Sequence, residues 1–155
     1  MDRAVITTPM GNLEILGNHK GITAVTFVDQ PTTASTSMAE PLHCAKEQLQ
    51  EYFDKNRQTF ELDLAPEGTE FQKRVWNELA QVPYGHTVSY MEIAKRLGDP
   101  KVIRAAASAN GKNPIAIIIP CHHIIGSDGS LTGYAGSLKR KKQLLELESN
   151  YRQGR

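Results

Sequence analysis

The chain has 155 residues, 39% of them hydrophobic and 23% charged, and a formal net charge of +1. That is the composition of a soluble globular protein of one domain or two small ones. It excludes a membrane span, because the longest apolar run, around Ile115–Ile119, is only strand-sized. The start, Met1-Asp2-Arg3-Ala4-Val5, has no apolar signal segment, so the cytoplasm is the expected compartment. The two cysteines, Cys44 and Cys121, form no CxxC pair and are expected to be free thiols. Charge is unevenly spread. Residues 1–68 hold five Lys/Arg against ten Asp/Glu, whereas residues 69–155 hold thirteen against seven, and a basic half is suited to meeting a polyanion.

In chain order, three β-type runs come first: Ala4–Thr8, Leu13–Gly17 and Ile22–Val28. Turn residues Pro9-Met10-Gly11-Asn12 and Asn18-His19-Lys20-Gly21 separate them, which predicts an antiparallel meander. Gln30–Ala39, rich in Thr and Ser without periodicity, reads as a mobile loop. Apolar Leu42, Ala45, Leu49, Tyr52 and Phe53 predict a helix over Glu40–Asp54. Phe60–Leu64 alternates like a half-buried strand. Residues 65–68, Ala-Pro-Glu-Gly, are the best linker, and the charge changes sign there. The expected division is therefore an N-terminal α/β domain over 1–64 and a C-terminal domain over 69–155.

After the linker, Thr69 with Gln72 three residues on forms a capping-box pattern leading into Phe71, Val75, Trp76 and Leu79. Pro83-Tyr84-Gly85 ends that helix. A short helix over Tyr90–Leu97, a stop at Gly98-Asp99-Pro100 and an Ala-rich helix over Lys101–Asn110 form a helix-turn-helix pattern. Asn113–Ile119 is expected to return to strand, Ser127–Ser130 to turn, and Ser137–Leu147 to close the chain as a basic helix.

Cys121 stands at the end of the most apolar run, with Pro120 before it and His122 and His123 after it. A thiol is mostly protonated at neutral pH and attacks well only where its surroundings favour the thiolate. Taken locally, four readings stay open: the nucleophile of a Cys–His hydrolase, a metal ligand, a redox thiol or a packed core cysteine. Metal binding is the poorest, since adjacent Cys-His-His crowds its ligands and no second pair has zinc-finger spacing. No resolving cysteine is nominated for redox use. His19, His43 and His86 read as surface histidines.

The wider pattern resembles a known family. Asn113-Pro-Ile-Ala-Ile-Ile-Ile-Pro-Cys121-His122-His123-Ile124-Ile-Gly126, then Gly133-Tyr134-Ala135-Gly136 and Leu144-Leu-Glu-Leu-Glu148, is similar to the O6-alkylguanine–DNA alkyltransferases. Phe71–Trp76, Val82–Gly85 with Ser89-Tyr90, and Arg104-Ala105 before Asn110 carry the likeness upstream, so it covers roughly residues 69–148. The implied fold is α+β. A ribonuclease H-like N-terminal domain with antiparallel strands is followed by a winged-helix-like, helix-turn-helix alkyltransferase domain.

The implied activity is direct DNA repair in a single turnover. An alkyl group moves irreversibly from O6 of guanine, with O4 of thymine as an alternative donor, to the protein's own cysteine. The resemblance implies Cys121 as nucleophile, His122 as its base through a bound water, and Glu148 as the residue orienting that histidine. It implies that Tyr90 donates a proton toward the base and that the Ala135 N–H faces O6. Tyr134 and Gly136 would shape the pocket, with Asn113 and Ile124 supporting the active-site turn. Arg104 would fill the stack left by a flipped lesion, and Ala105, Ala107 and Ser108 would lie against the minor groove of double-stranded DNA. No cofactor, metal or membrane is implied, and a monomer is expected. A lesion-binding relative without repair would lack the cysteine; a hydrolase would regenerate it. Two positions depart from the family: His123 stands for the usual Arg, and Ala107 for the usual Gly on the recognition helix.

Overall fold

The structure is a computed structural model and describes residues 1–29, 32–126 and 138–153. The chain divides into two compact units, one formed by Met1–Glu67 with Pro114–Ala116 and the other by Gly68–Asn113 with Ile117–Arg155. Among the described residues the fold is α+β: a three-stranded antiparallel sheet with one helix, and a helical unit with one two-stranded ladder.

In the first unit, β1 (Asp2–Thr8), β2 (Gly11–Asn18) and β3 (Gly21–Val28) form the expected meander in the order β1-β2-β3. Alternate residues Ala4, Ile6, Leu13 and Ile15 are buried, as a period of two requires when one face is covered. The cover is α1 (Glu40–Phe53), whose Leu42, Ala45, Leu49 and Tyr52 form its buried stripe.

One sequence expectation fails in this unit. Phe60–Leu64 is not a strand; it makes one isolated bridge, Leu64 to Ile22, with the Ile22 N–H donating to Asp63 O at 2.9 Å and the Ala65 N–H to Ile22 O at 2.8 Å. The described part of 30–39 hydrogen-bonds to β1 and its start. The Ser35 N–H donates to Arg3 O, the Arg3 N–H to Ser35 Oγ, both at 2.8 Å, and the Ala39 N–H to Asp2 Oδ2 at 2.7 Å. These residues form no helix or strand, as the sequence predicts, and their hydrogen bonds to the outer strand are invisible to periodicity.

The second unit begins at α2 (Glu70–Ala80). Thr69 Oγ1 accepts from the Gln72 N–H at 3.1 Å while Gln72 Oε1 accepts from the Thr69 N–H at 2.9 Å, completing the capping box. Gly68 lets the chain pass Trp76, since a Cβ there would sit 2.6 Å from the indole ring. Val75, Trp76 and Leu79 form the buried face. A two-residue β4 (Val88–Ser89) leads into α3 (Tyr90–Arg96), capped by Ser89 Oγ accepting from the Glu92 N–H. Gly98 turns the chain at φ +96°, and a 3-10 turn at Pro100–Val102 opens α4 (Ile103–Gly111). Helices α3 and α4 pack together as the anticipated helix-turn-helix. The Trp76 indole N–H donates to Ala109 O at 2.8 Å, which ties α2 to α4.

Asn113–Ile119 does not form the expected strand. Ile115 makes one parallel bridge to Val25, and Ile117 then takes φ +71°, a conformation that strains a β-branched residue by about 1–3 kcal/mol. Apolar composition suggested a ladder here, but the run is spent on turning the chain. A 3-10 turn at Cys121–His123 follows, then β5 (Ile124–Ile125), paired in parallel with β4. The closing helix α5 (Leu138–Gln153) runs further than its basic stretch suggested. The expected turn at Ser127–Ser130 lies outside the described residues. Thr69→Ala should lower stability by about 1 kcal/mol in urea unfolding, because it removes the acceptor for the Gln72 N–H; no change would mean that packing alone sets the start of α2.

Candidate functional site

The site is built where the 3-10 turn meets α5. Pro120 (φ −81°, ψ 65°) lets the Cys121 N–H donate to Ile119 O at 2.8 Å, and the His123 N–H reaches Pro120 O at 2.9 Å. This tight winding buries three consecutive polar-tipped side chains, Cys121, His122 and His123. Asn113 holds the turn from behind: its Nδ2 donates to Ile119 O at 2.8 Å, and its side chain also hydrogen-bonds to Cys121. Ile124, fully buried, anchors the exit into β5.

Glu148 is the centre of the arrangement. Its Oε2 meets His122 Nε2 at 2.5 Å, while its Oε1 meets His123 Nε2 at 2.7 Å and accepts from the Gly85 N–H at 2.8 Å. Burial alone would raise the carboxyl's pKa, but the hydrogen bonds from His122 and His123 outweigh burial and hold it well below the carboxylate range. An ionised carboxylate only accepts, so both Nε2 atoms carry hydrogen. Neither Nδ1 atom has a hydrogen-bond partner among the described residues. Burial, with His123 as the next cause, lowers His122 to about 4, so it rests as a neutral base. Burial likewise pushes the Cys121 thiol up to about 11, against the pull of Asn113, Lys141 and its own backbone.

Chemically, this is a buried thiol beside a neutral imidazole whose tautomer is set by a carboxylate, the nucleophile–base–orienter pattern. The donor atoms of His122, His123 and Glu148 lie within 4.8 Å of one another, a grouping that could hold a cation. Here they are engaged with each other through N–H···O bonds, and a ligating Nε2 would have to give up its hydrogen.

The other expected site residues lie on two elements. Tyr90, half-buried, opens α3; Arg104, Ala105 and Ser108 are exposed along α4, with Ala107 half-buried beside them. Tyr134, Ala135 and Gly136 lie outside the described residues. Two partners of Glu148 escaped the sequence reading. The sequence marks Gly85 as a helix terminator and as part of the family-like pattern, yet not as a partner of Glu148, at which its φ of +75° aims its N–H. His123 was noted as a departure, without its partner. Cys44 and Cys121 are both free.

Comparison with known proteins gives a consistent result. Residues 70–150 match the family model described as 6-O-methylguanine DNA methyltransferase, DNA binding domain, and residues 1–66 match its ribonuclease-like domain. A methylated-DNA–protein-cysteine methyltransferase of Methanosarcina acetivorans is 44% identical over 152 residues, covering 95% of this chain and 97% of its own. A crystal structure of the Mycobacterium tuberculosis O6-methylguanine methyltransferase superposes with a TM-score of 0.87 at 40% identity, covering 97% of this chain and 93% of that one. The M. tuberculosis OGT in complex with DNA superposes at 0.84 with 43% identity, covering 95% and 92%.

Both shifts at the His122–Glu148 pair have one sign for stability. The folded His122 value, about 4, lies below the ordinary 6.5, so the unfolded chain takes up the proton first on acidification. Stability present above the unfolded value is lost as pH falls through this window, by at most about 1.36 kcal/mol per pH unit for one group. Glu148, held low, acts in the same direction below its ordinary 4.5. The urea midpoint should therefore fall between pH 6.5 and 4, and less steeply in His122→Gln; equal slopes would contradict the burial of a neutral imidazole.

Proposed function

Because the chain belongs to the 6-O-methylguanine DNA methyltransferase family, we propose that it repairs DNA directly, taking the alkyl group of O6-alkylguanine onto Cys121. The observation that carries this reading is the buried Cys121 beside His122, whose Nε2 is held by Glu148 at 2.5 Å. The His122 Nδ1, free of partners among the described residues, takes the thiol proton through a bound water. Sulfur then attacks the alkyl carbon, the S–C bond forms as the C–O6 bond breaks, and the electron pair leaves with the guanine. The thioether has no easy hydrolytic exit, so the protein is consumed in one turnover.

The developing charge on the base calls for donors facing it. Tyr90 supplies one and the Ala135 N–H another, with Tyr134 and Gly136 closing the pocket; Asn113 and Ile124 keep the cysteine turn in shape. A base inside a duplex must be flipped out before sulfur can reach it. Arg104, exposed on α4, fills the gap, and the small Ala105, Ala107 and Ser108 let the helix approach the minor-groove walls. In this reading residues 1–64 form the N-terminal domain, 65–68 the linker and 69–155 the repair domain. The protein works as a cytoplasmic monomer; among the described residues no helix is long and apolar enough to cross a membrane.

Incubation with duplex DNA carrying O6-methylguanine, followed by peptide mass analysis, should find one methyl group on Cys121 and the lesion gone. An unmodified Cys121 with the lesion intact would overturn the assignment. Arg104→Ala should slow repair in the duplex at least about tenfold, roughly the effect of losing one charge-assisted contact, and leave reaction with free O6-benzylguanine nearly unchanged. Equal losses on both substrates would remove Arg104 from base flipping.

A further inference from the structure

His123 is the last residue of the 3-10 turn that presents Cys121, and its backbone and its ring do separate things. The backbone N–H closes the turn on Pro120 O at 2.9 Å, a bond that any side chain but that of proline leaves in place. The ring is buried, and among the described residues its one hydrogen bond is the donation from Nε2 to Glu148 Oε1 at 2.7 Å. Its Nδ1 has no hydrogen-bond partner there. Burying a polar atom unpaired is unfavourable, so an apolar side chain would fill this space at less cost. The reason for an imidazole lies at Nε2.

We propose that His123 is a positioning residue for alkyl transfer: its Nε2–H pins one oxygen of Glu148 so that the other stays on His122. The inference rests on the reading of Cys121 as the acceptor. Glu148 reaches the site on a long, flexible side chain whose carboxylate has two equivalent oxygens. A single bond to His122 would fix neither the rotation of that carboxylate nor which oxygen faces the base. Two donors on Oε1 do so, the Gly85 N–H at 2.8 Å and His123 Nε2 at 2.7 Å, and Oε2 is left to His122 at 2.5 Å. The base is held by a carboxylate that the next residue in the chain holds in turn.

A second contact restrains the base itself. The His123 ring stands edge-on to His122, with centroids 4.3 Å apart and planes at 68°, so it limits the tilt of the imidazole that must receive the thiol proton. Nucleophile, base and the residue that fixes the base's partner are consecutive in one turn, and their relative placement follows from its winding. Charge agrees with geometry. Burial works against the carboxylate, and the hydrogen bonds from His122 and then His123 keep it ionised. When the S–H bond breaks and the proton reaches His122, the new imidazolium needs that anion beside it. A carboxylate free to rotate away would leave a buried charge without its partner.

The test sets the wild type beside three variants of the full chain. His123→Phe and His123→Leu fill the space without a donor, and His123→Gln offers a side-chain amide N–H in place of Nε2–H. Near-UV circular dichroism checks the fold, and affinity for O6-methylguanine duplex is measured apart from the single-turnover repair rate. In a folded apolar variant the rate constant should fall at least about tenfold, the effect of losing one charge-assisted hydrogen bond, with duplex affinity unchanged. His123→Gln should regain most of the rate. A folded apolar variant that repairs at the wild-type rate overturns the proposal, as does a loss that His123→Gln shares in full or one carried entirely by weaker duplex binding. In the wild type itself, ring ¹⁵N correlations should place a hydrogen on His123 Nε2, and an Nε2 without one overturns the proposal with no variant needed. A wild type that shows this hydrogen but leaves the lesion untouched would instead overturn the repair reading.

Discussion

One carboxylate organises this site. Glu148 is buried, which should favour its neutral form, yet the Gly85 N–H and two imidazoles turn toward it and keep it charged. Because an anion cannot donate, the hydrogen of each imidazole is fixed at Nε2, and the basic lone pair of His122 is left at Nδ1. The thiol itself is made less acidic by its surroundings, with a pKa near 11. Reactivity at neutral pH therefore depends on moving the proton to a base that is already neutral and aimed, not on a standing thiolate. His123 fits this scheme. It brings a second imidazole to the same carboxylate, its ring edge-on to His122 at a centroid distance of 4.3 Å.

The surrounding fold is arranged to hold that carboxylate and that turn. The left-handed conformation of Gly85 follows the end of α2, so the position of the loop depends on where the helix starts and stops, and its start is set by the Thr69–Gln72 box. The same helix carries Trp76, whose indole fastens α4 through Ala109. Thus one short helix supports both the Glu148 partner and the helix that exposes Arg104. The strain at Ile117 lies four residues before Cys121, in the run that delivers the thiol, where a plain strand would have carried the chain straight on.

Much of this was legible in the sequence, and the reasons are local. Period-two alternation and turn residues located β1 to β3, and cap chemistry located the start of α2. Spacing alone could not distinguish a ladder from a turn in Asn113–Ile119, because a buried apolar run satisfies both until Ile117 takes a positive φ. Phe60–Leu64 failed for a related reason: alternation marks a half-buried face, but a strand also needs a neighbour along its length, and only Leu64 has one. The resemblance nominated Cys121, His122 and Glu148, which the fold brings into one cluster with Asn113 beside them. It could not reveal that His123 and Gly85 share the carboxylate, or that Lys141 is buried, because a lysine in a basic helix looks like any solvated charge until its face is known.

The tautomer of His122 tests the central claim most directly. In ¹⁵N-labelled protein at neutral pH, two-bond correlations from the ring carbon protons should identify a protonated Nε2 and a bare Nδ1. In Glu148→Gln that pattern should be lost. A His122 that carries its hydrogen on Nδ1 in the wild type would contradict the account, because no lone pair would then be available to receive the thiol proton.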